Sequence, residues 1–216
     1  MRVLITGVNR GLGREMACAA LARGWQVQGT LRQGEAPKGV VAHTLDLADL
    51  SGLAGLAERI GPIDCLINNA GVIGPEKQSP LEMDFAGFAR TLHINTLAPL
   101  AVAQALLPNL RQGSAPKIIS ISSQMAWMGY RKADRIAYRA SKAALNKVMQ
   151  GVATALKPEG IAVALIDPGW VRTDMGGPVA ERDPAEVAHE IIDTAARLAM
   201  VDTGCFLLSD GLPRPF

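Results

Sequence analysis

Tyr138 and Lys142 lie four residues apart within a long amphipathic stretch that predicts a helix over Ala137–Lys157. Residues at this spacing share one face of a helix, so their side chains can approach each other. An isolated tyrosine has a pKa of about 10, too high for ready proton exchange near neutrality, and a neighbouring ammonium lowers it. Such a pair on an arbitrary helix is usually surface packing, but together with the glycine loop and the Asn-Ala-Gly segment of this chain it predicts acid–base catalysis by Tyr138.

A glycine cluster follows the first apolar run of the chain, Arg2–Thr6. Gly7, Gly11 and Gly13 have the spacing GxxxGxG, which differs from the GxGxxG of many dinucleotide sites. Glycines allow a tight turn and a close approach to a pyrophosphate, and the N-terminus of the next helix adds unpaired N–H groups. The segment predicts a phosphate-binding loop, with an ordinary strand–helix turn as the alternative.

Two arginines bear on which dinucleotide such a loop would hold. An NAD site places a carboxylate at the end of the second strand, where it accepts a hydrogen bond from the ribose 2′-hydroxyl. Here that end is Thr30–Arg32 and has no carboxylate, because the nearest one, Glu35, lies beyond the strand. Arg32, with Arg10 opposite it, could bind a 2′-phosphate through charge-assisted hydrogen bonds. The pattern favours NADP(H) over NAD(H), unless both arginines are simply solvated.

Strands and helices alternate along the chain in the pattern of a parallel sheet. Seven short apolar or β-branched runs predict strands: Arg2–Thr6, Trp25–Thr30, Val40–Leu45, Ile63–Asn68, Lys117–Ser122, Ile161–Asp167 and Cys205–Leu208. Six amphipathic stretches predict helices: Gly11–Arg23, Asp49–Arg59, Leu81–His93, Thr96–Arg111, Ala137–Lys157 and Pro184–Met200. The segment 31–39 is too short and too rich in glycine and proline for a full helix. We expect one α/β domain over residues 1–216, a doubly wound, Rossmann-type parallel sheet with helices on both faces.

Composition limits the kinds of partner. Hydrophobic residues make up 49% and charged residues 19%, as in folded domains, and the net charge of +2 gives no reason to expect nucleic acid. No window approaches the roughly 20 apolar residues of a membrane span. Cys18, Cys65 and Cys205 are scattered and form no CxxC pair. We therefore expect no metal site, no membrane partner and a cytoplasmic location.

Together these features resemble the short-chain dehydrogenase/reductase family over nearly the whole chain. The family's TGxxxGxG corresponds to Thr6–Gly13, its Asn-Asn-Ala-Gly to residues 68–71, and its Pro-Gly-x-x-x-Thr to Pro168–Thr173. The stretches Tyr138–Asn146 and Pro168–Gly177 are more specifically similar to the C-factor-like and small carbonyl-reductase branch.

The resemblance implies a set of cofactor contacts. They are Gly7, Asn9, Arg10, Gly11, Leu12, Gly13, Arg32, Asp46, Leu47, Asn69, Ala70, Gly71, Tyr138, Lys142, Pro168, Gly169, Val171 and Thr173. Asp46 and Leu47 would contact the adenine, although Asp46 could instead cap the helix that begins near Asp49.

The resemblance also implies a catalytic set of Ser123, Tyr138, Lys142 and Asn95. Ser123 would hydrogen-bond the substrate oxygen and Lys142 would bind the nicotinamide ribose, while Asn95 would hold a water that links Lys142 to solvent. Ser122 remains an alternative to Ser123. Asn95 could also act as a cap between the two predicted helices on either side of it.

The loop before the tyrosine and the segment after Thr173 bear on the substrate. Trp127 and Tyr130 could line a pocket or merely pack within their loop, and Arg139 is expected at the surface or an interface. Only Asp174–Asp183 separate Thr173 from the last predicted helix. So short a lid implies an open pocket.

The implied function is that of an NADP(H)-dependent carbonyl reductase acting on a small carbonyl or alcohol substrate. A symmetric homodimer through Thr96–Arg111 and Ala137–Lys157 is also implied. One alternative is a signalling or regulatory protein that binds dinucleotide with little turnover. Another is a sugar-nucleotide epimerase or dehydratase, against which the short chain and the GxxxGxG spacing argue.

Overall fold

The computed structural model describes residues 1–216, and a sheet of seven parallel strands lies at its centre. The protein has nine strands, two of which, β5 and β6, lie outside this sheet. In chain order they are β1 (Arg2–Thr6), β2 (Gln26–Leu31), β3 (Val41–Thr44), β4 (Cys65–Asn68), β5 (Gln78–Ser79), β6 (Glu82–Met83), β7 (Lys117–Ile121), β8 (Ala162–Asp167) and β9 (Phe206–Leu208). The order across the sheet is β3-β2-β1-β4-β7-β8-β9, and β5 and β6 form a separate hairpin.

Seven α-helices surround the sheet. They are α1 (Gly11–Ala22), α2 (Leu53–Ile60), α3 (Phe85–Leu92), α4 (Ala98–Ala105), α5 (Leu107–Leu110), α6 (Ile136–Leu156) and α7 (Pro184–Arg197). Side chains of a strand alternate between its two faces. Accordingly, Val3 and Ile5 of β1 pack with α1 and α7, whereas Leu4 packs with α2, α4 and α6. The predicted doubly wound sheet is therefore confirmed, and 31–39 contains no helix, as expected.

The strand order reverses at the centre of the sheet. From β1 the chain runs outward to β2 and β3, then returns through α2 to β4 on the other side of β1. The two loops that leave β1 and β4 therefore diverge and open a crevice at the carboxyl edge. Ligands of doubly wound proteins bind at such a point.

The region between β4 and α4 differs from its prediction. The predicted helix Leu81–His93 starts too early, because residues 78–83 form the β5–β6 hairpin, whose turn is stabilised by N–H groups donating to the Ser79 hydroxyl. Helix α3 begins only after Asp84, whose carboxylate accepts a 2.9 Å hydrogen bond from the Gly87 N–H. Asp84 is therefore the N-cap, so the helix begins after it and does not include Leu81 or Met83.

A π-helical segment, residues 93–97, joins α3 directly to α4. Asn95 lies inside this segment, so the interpretation of Asn95 as a cap between two helices is wrong. The predicted helix Thr96–Arg111 begins within the π-helical turn and is interrupted at Leu106, between α4 and α5. Segments of this kind are frequent at functional sites.

The predicted helix Asp49–Arg59 also begins later as an α-helix than its prediction. Residues 50–52 form a 3₁₀ turn, and the Asp49 side chain accepts a 3.0 Å hydrogen bond from the Ser51 N–H. The α-helix begins at Leu53. Asp46 instead accepts from the Ala48 N–H in the preceding turn, so the interpretation of Asp46 as the helix cap is wrong.

Candidate active site

A cleft of about 760 Å³ runs along the carboxyl edge of the sheet. Every predicted cofactor contact lines it, and so do three of the four predicted catalytic residues: Ser123, Tyr138 and Lys142. The exception is Asn95, which is fully buried behind the cleft. Segments far apart in sequence thus converge on one cavity because each follows the carboxyl end of a parallel strand.

The glycine loop between β1 and α1 has the shape that a phosphate cradle requires. Gly7 and Gly11 have φ values of +76° and +53°, in the region that favours glycine. A Cβ on Gly13 would collide with the Gly7 carbonyl oxygen and with the Asn69 side chain. The backbone is therefore open to a ligand at positions where any larger residue would block or strain it, so these residues fit a dinucleotide.

Thr6 and Asn69 fasten the glycine loop to the loop after β4. The Thr6 hydroxyl accepts hydrogen bonds from the N–H groups of Asn69 and Ala70 at 2.9 and 3.0 Å. The Asn69 side chain donates to the Thr6 carbonyl at 2.8 Å. These bonds fix the two walls of the crevice at the reversal of strand order.

The two arginines expected at a 2′-phosphate are in different situations. Arg32 is exposed at the end of β2 and lines the cleft, whereas Glu35 does not. The Arg10 guanidinium instead pairs with Asp174 at 2.8 Å, which ties the glycine loop to the segment after Thr173. Both side chains of this pair are mostly exposed to solvent.

Tyr138 is buried at the floor of the cleft, in the first turn of α6. Burial raises the pKa of Tyr138 to about 12, and the neighbouring Ser123 side chain opposes part of that rise. The expected lowering of this pKa by Lys142 is not found, because burial dominates. At neutral pH the hydroxyl is protonated.

Lys142 lies one turn further along α6 and is also buried. Its Nζ donates a 2.7 Å hydrogen bond to the Ile121 carbonyl and lies 5.8 Å from the centre of the Tyr138 ring. Burial lowers the pKa of Lys142 to about 8, because the charged form loses its hydration. The lysine is thus aligned beside the tyrosine, and the backbone of β7 binds it.

Ser122 and Ser123 both line the cleft at the end of β7 but differ in their partners. The buried Ser122 hydroxyl donates to the Asn146 side chain in α6 and is occupied by that bond. The Ser123 side chain is close enough to Tyr138 to affect its pKa, and its hydroxyl accepts from the Met125 N–H at 3.1 Å. The geometry favours Ser123 of the two alternatives.

A model of the short chain dehydrogenase family matches residues 1–184. The chain belongs to this family. Among its relatives, C-signal of Myxococcus xanthus is 47% identical over 121 residues, which are 56% of this chain and 72% of that protein. The expected family, and with it an oxidoreductase, is confirmed.

Solved structures extend the likeness to the full chain. The carbonyl reductase Sniffer of D. melanogaster superposes with a TM-score of 0.93 at 29% identity, covering 100% of this chain and 99% of that one. An NADPH-bound carbonyl reductase from chicken fatty liver has a TM-score of 0.91 at 25% identity, with 100% and 98% covered. The predicted likeness to both C-factor-like proteins and small carbonyl reductases is borne out.

Asn95 of this short-chain dehydrogenase connects three parts of the site. Its side-chain oxygen accepts from the Val72 N–H, and its amide donates to the Val72 carbonyl, both at 2.8 Å, and to the Ser141 hydroxyl at 3.0 Å. A Cβ on Gly71 would lie 3.1 Å from the Asn95 oxygen and 3.7 Å from the Lys142 Nζ. Asn95 therefore holds the loop after β4 against α6, close to Lys142.

The loop before α6 shows where Arg139, Tyr130 and Trp127 lie, and the expectation for Arg139 was wrong. Arg139 is buried, not at the surface, because its guanidinium binds Asp134 at 2.8 Å and stacks on the Tyr130 ring, with 4.8 Å to the centroid. Neither Tyr130 nor Trp127 lines the cleft. Of the two alternatives for these aromatic residues, packing within the loop is the one observed.

Several cleft residues carry no signal in the sequence motifs. They are Val72, Ile73, Gln124, Met125 and Arg135. Apart from Arg135, they are apolar or uncharged side chains of kinds found throughout the chain, so only their position in the folded protein brings them to the site. The proximity of Gln124, Met125 and Arg135 to Ser123 and Tyr138 in sequence is the one clue that could have indicated them.

Proposed function

We propose that this short-chain dehydrogenase is an NADPH-dependent reductase of small carbonyl compounds, with Tyr138 as the proton donor. The observation that carries the proposal is the placement of Tyr138 beside Ser123 and Lys142, in the cleft that also contains the glycine cradle. At neutral pH this hydroxyl holds its proton and can give it to a developing alkoxide.

The cofactor would lie along the cleft from the tip of β2 to Tyr138. The Gly7–Gly13 loop would hold the pyrophosphate, Asp46 and Leu47 the adenine, and Lys142 the nicotinamide ribose. The segments 69–71 and 168–173 would complete its walls. When bound, NADPH supplies a hydride to the carbonyl carbon.

Preference for NADPH over NADH would come from the tip of β2. Arg32 is exposed there without a carboxylate beside it, so it is free to bind a 2′-phosphate. Arg10 could join it by exchanging Asp174 for the phosphate. The NADPH-bound carbonyl reductase of the same family supports this assignment.

The residues around Tyr138 would share the remaining work of reduction. Ser123 would donate a hydrogen bond to the substrate oxygen, orienting it and stabilising the charge that develops. Asn95, through its oxygen near Lys142, would hold a water that returns a proton toward the tyrosine. Each of these roles rests on the family resemblance together with the geometry above.

A screen of aldehydes and ketones, followed by the loss of NADPH absorbance, tests the proposal. We expect reduction with NADPH to exceed reduction with NADH, and Arg32→Asp to narrow or reverse that preference, since it replaces attraction for the phosphate by repulsion. Lys38→Asp makes a similar change at an exposed loop residue outside the cleft and should leave the preference unchanged. Equal or tighter binding of NADH by the parent protein would refute the cofactor assignment.

A signalling protein that binds dinucleotide with little turnover is the second candidate. The 47% identity to C-signal is the observation that favours it. Binding of NADPH without reduction of any carbonyl compound in the screen would support this alternative against the first.

Assembly and location are further parts of the proposal. A symmetric homodimer through α4 and α6 follows from the family resemblance. A cytoplasmic location fits three cysteines that are all free thiols.

A further inference from the structure

Arg135 has an unusual backbone and lies next to the reacting group. It is the one residue other than glycine with a positive φ, at φ 51° and ψ 41°. It is the N-cap of α6, three residues before Tyr138. Because side chains other than glycine, asparagine and aspartate rarely adopt this conformation, it needs a reason at this position.

The Arg135 guanidinium lines the cleft with no partner of its own. Its neighbour in sequence, Asp134, is bound by Arg139 through the 2.8 Å contact described above. No ion pair or side-chain hydrogen bond engages Arg135, which is exposed at the mouth of the cleft. The positive charge of Arg135 is therefore available to bind a substrate that enters the cleft.

The charged side chains that line the cleft near Tyr138, Arg135 and Lys142, are cationic. The charged residues that line the whole cleft are Arg10, Arg32, Asp46, Arg135, Lys142 and Asp174. The two carboxylates lie in the part of the cleft where the cofactor would bind, because Asp46 follows β3 and Asp174 is paired with Arg10 of the glycine loop. Near Tyr138 the buried carboxylate of Asp167 is paired with Arg214 at 3.1 Å. The charge of Arg135 reaches Tyr138 and lowers its pKa, although burial and the Asp167 carboxylate both raise that pKa by more.

We infer that Arg135 determines substrate specificity by binding the carboxylate of an anionic carbonyl compound, a keto acid whose carbonyl oxygen lies between Ser123 and Tyr138. A guanidinium offers two parallel N–H groups that match a carboxylate. One free cation balances one negative charge, which fits a carboxylate better than a dianionic phosphate ester. Val72, Ile73 and Met125 supply apolar walls for the rest of a small molecule.

The inference rests on the proposed reductase function and alters none of its chemistry. A hydride from NADPH and a proton from Tyr138 convert the ketone to an alcohol, and the carboxylate leaves as it entered. The product would be a hydroxy acid and NADP⁺.

Matched acids and esters test the role of Arg135. Phenylglyoxylate and 4-acetylbenzoate would each be compared with its methyl ester, and the ratio of kcat/KM for acid over ester measured with NADPH. In Arg135→Asn we expect the ratio to fall about 10-fold for at least one pair, which corresponds to about 1.4 kcal/mol. Arg135→Lys should retain part of the preference. Asparagine tolerates the left-handed backbone, so this variant should fold.

Arg131→Asn is the matched control, because Arg131 is an exposed arginine of the same loop that does not line the cleft. Its acid-to-ester ratio should equal that of the parent. An unchanged ratio in Arg135→Asn for both pairs would overturn the inference while leaving the reductase proposal intact.

Failure of the proposed function gives a different result, namely that neither acids nor esters are reduced. The inference is then judged by calorimetric titration of benzoate into the protein saturated with NADP⁺. A loss of about 10-fold in benzoate affinity in Arg135→Asn, but not in Arg131→Asn, supports the carboxylate site. Equal affinity in the parent and in Arg135→Asn overturns it.

Discussion

At the scale of single residues, burial acts on Tyr138 and Lys142 in opposite directions. Loss of hydration disfavours the charged form of each group, so it raises the pKa of the tyrosine to about 12 and lowers that of the lysine to about 8. Near neutral pH both groups therefore hold their protons. The tyrosine can donate its proton, and the lysine is a cation that can donate hydrogen bonds to the nicotinamide ribose assigned to it above.

The lowered pKa of Lys142 predicts how NADPH affinity depends on pH. As the pH rises through about 8, the ammonium loses its proton, and with it a charge-assisted contact with the cofactor. We expect the affinity for NADPH to weaken, by up to about tenfold, between about pH 7 and pH 9.5. Fluorescence titration at several pH values measures this.

Lys142→Met provides the control for that titration. Its NADPH affinity should be lower at neutral pH and independent of pH over the same interval, since Tyr138 titrates well above it. A parent protein whose affinity stays constant across pH 8, or a variant that keeps the same decline, would exclude Lys142 as the group responsible.

Sequence alone predicted many of the residues that line the cleft, because the family motifs mark them, but it did not predict Val72, Ile73 or Met125. It did not predict their electrostatics. The expected fall in the pKa of Tyr138 depends on how deeply the side chain is buried and on where the Lys142 amine points, and here the amine binds the Ile121 carbonyl. The choice between Ser122 and Ser123 likewise needed the hydrogen-bond partner of each side chain at the end of β7.

At the scale of secondary-structure elements, a buried lysine joins β7 to the end of α7. The Lys117 Nζ donates to the carbonyls of Ala195 and Leu198 at 3.1 and 2.9 Å. The last carbonyls of a helix have no partner within the helix, and a cation there is favourable. Lys117 thus satisfies two acceptors that would otherwise be buried and unpaired.

Replacing Lys117 should destabilise the fold through those carbonyls. We expect Lys117→Met to lower the free energy of unfolding by about 1–3 kcal/mol, measured by urea denaturation. Lys147→Met makes the same change at an exposed position of α6 and should have little effect. If the two variants unfold at the same urea concentration, the contribution assigned to Lys117 is wrong.

The elements themselves were predictable where one periodicity dominates. The strands of the main sheet and the long helix α6 lie within one or two residues of their predicted bounds. The region 78–97 was not predictable in the same way. A hairpin of two two-residue strands and a π-helical turn lie in this region. They depend on local hydrogen bonds, such as those of Ser79, which produce no periodic pattern in the sequence.

At the scale of the whole molecule, the parallel topology assembles the site. Motifs that follow β1, β2, β3, β4, β7 and β8 reach one cleft because all these strands end at the same edge. The motif order was therefore sufficient to predict both fold and cleft. Contacts between loops, such as Arg10 with Asp174, join segments 164 residues apart and could be seen only in the folded chain.

The central claim is that Tyr138 gives the substrate its proton, and Tyr138→Phe tests it most directly. This change keeps the ring and its packing but removes the hydroxyl. Tyr130→Phe, outside the cleft, is the matched control. We predict that Tyr138→Phe binds NADPH like the parent and loses at least ~100-fold in carbonyl reduction, while Tyr130→Phe retains full activity. Retention of most of the activity by Tyr138→Phe, on a substrate that the parent reduces, would contradict the account.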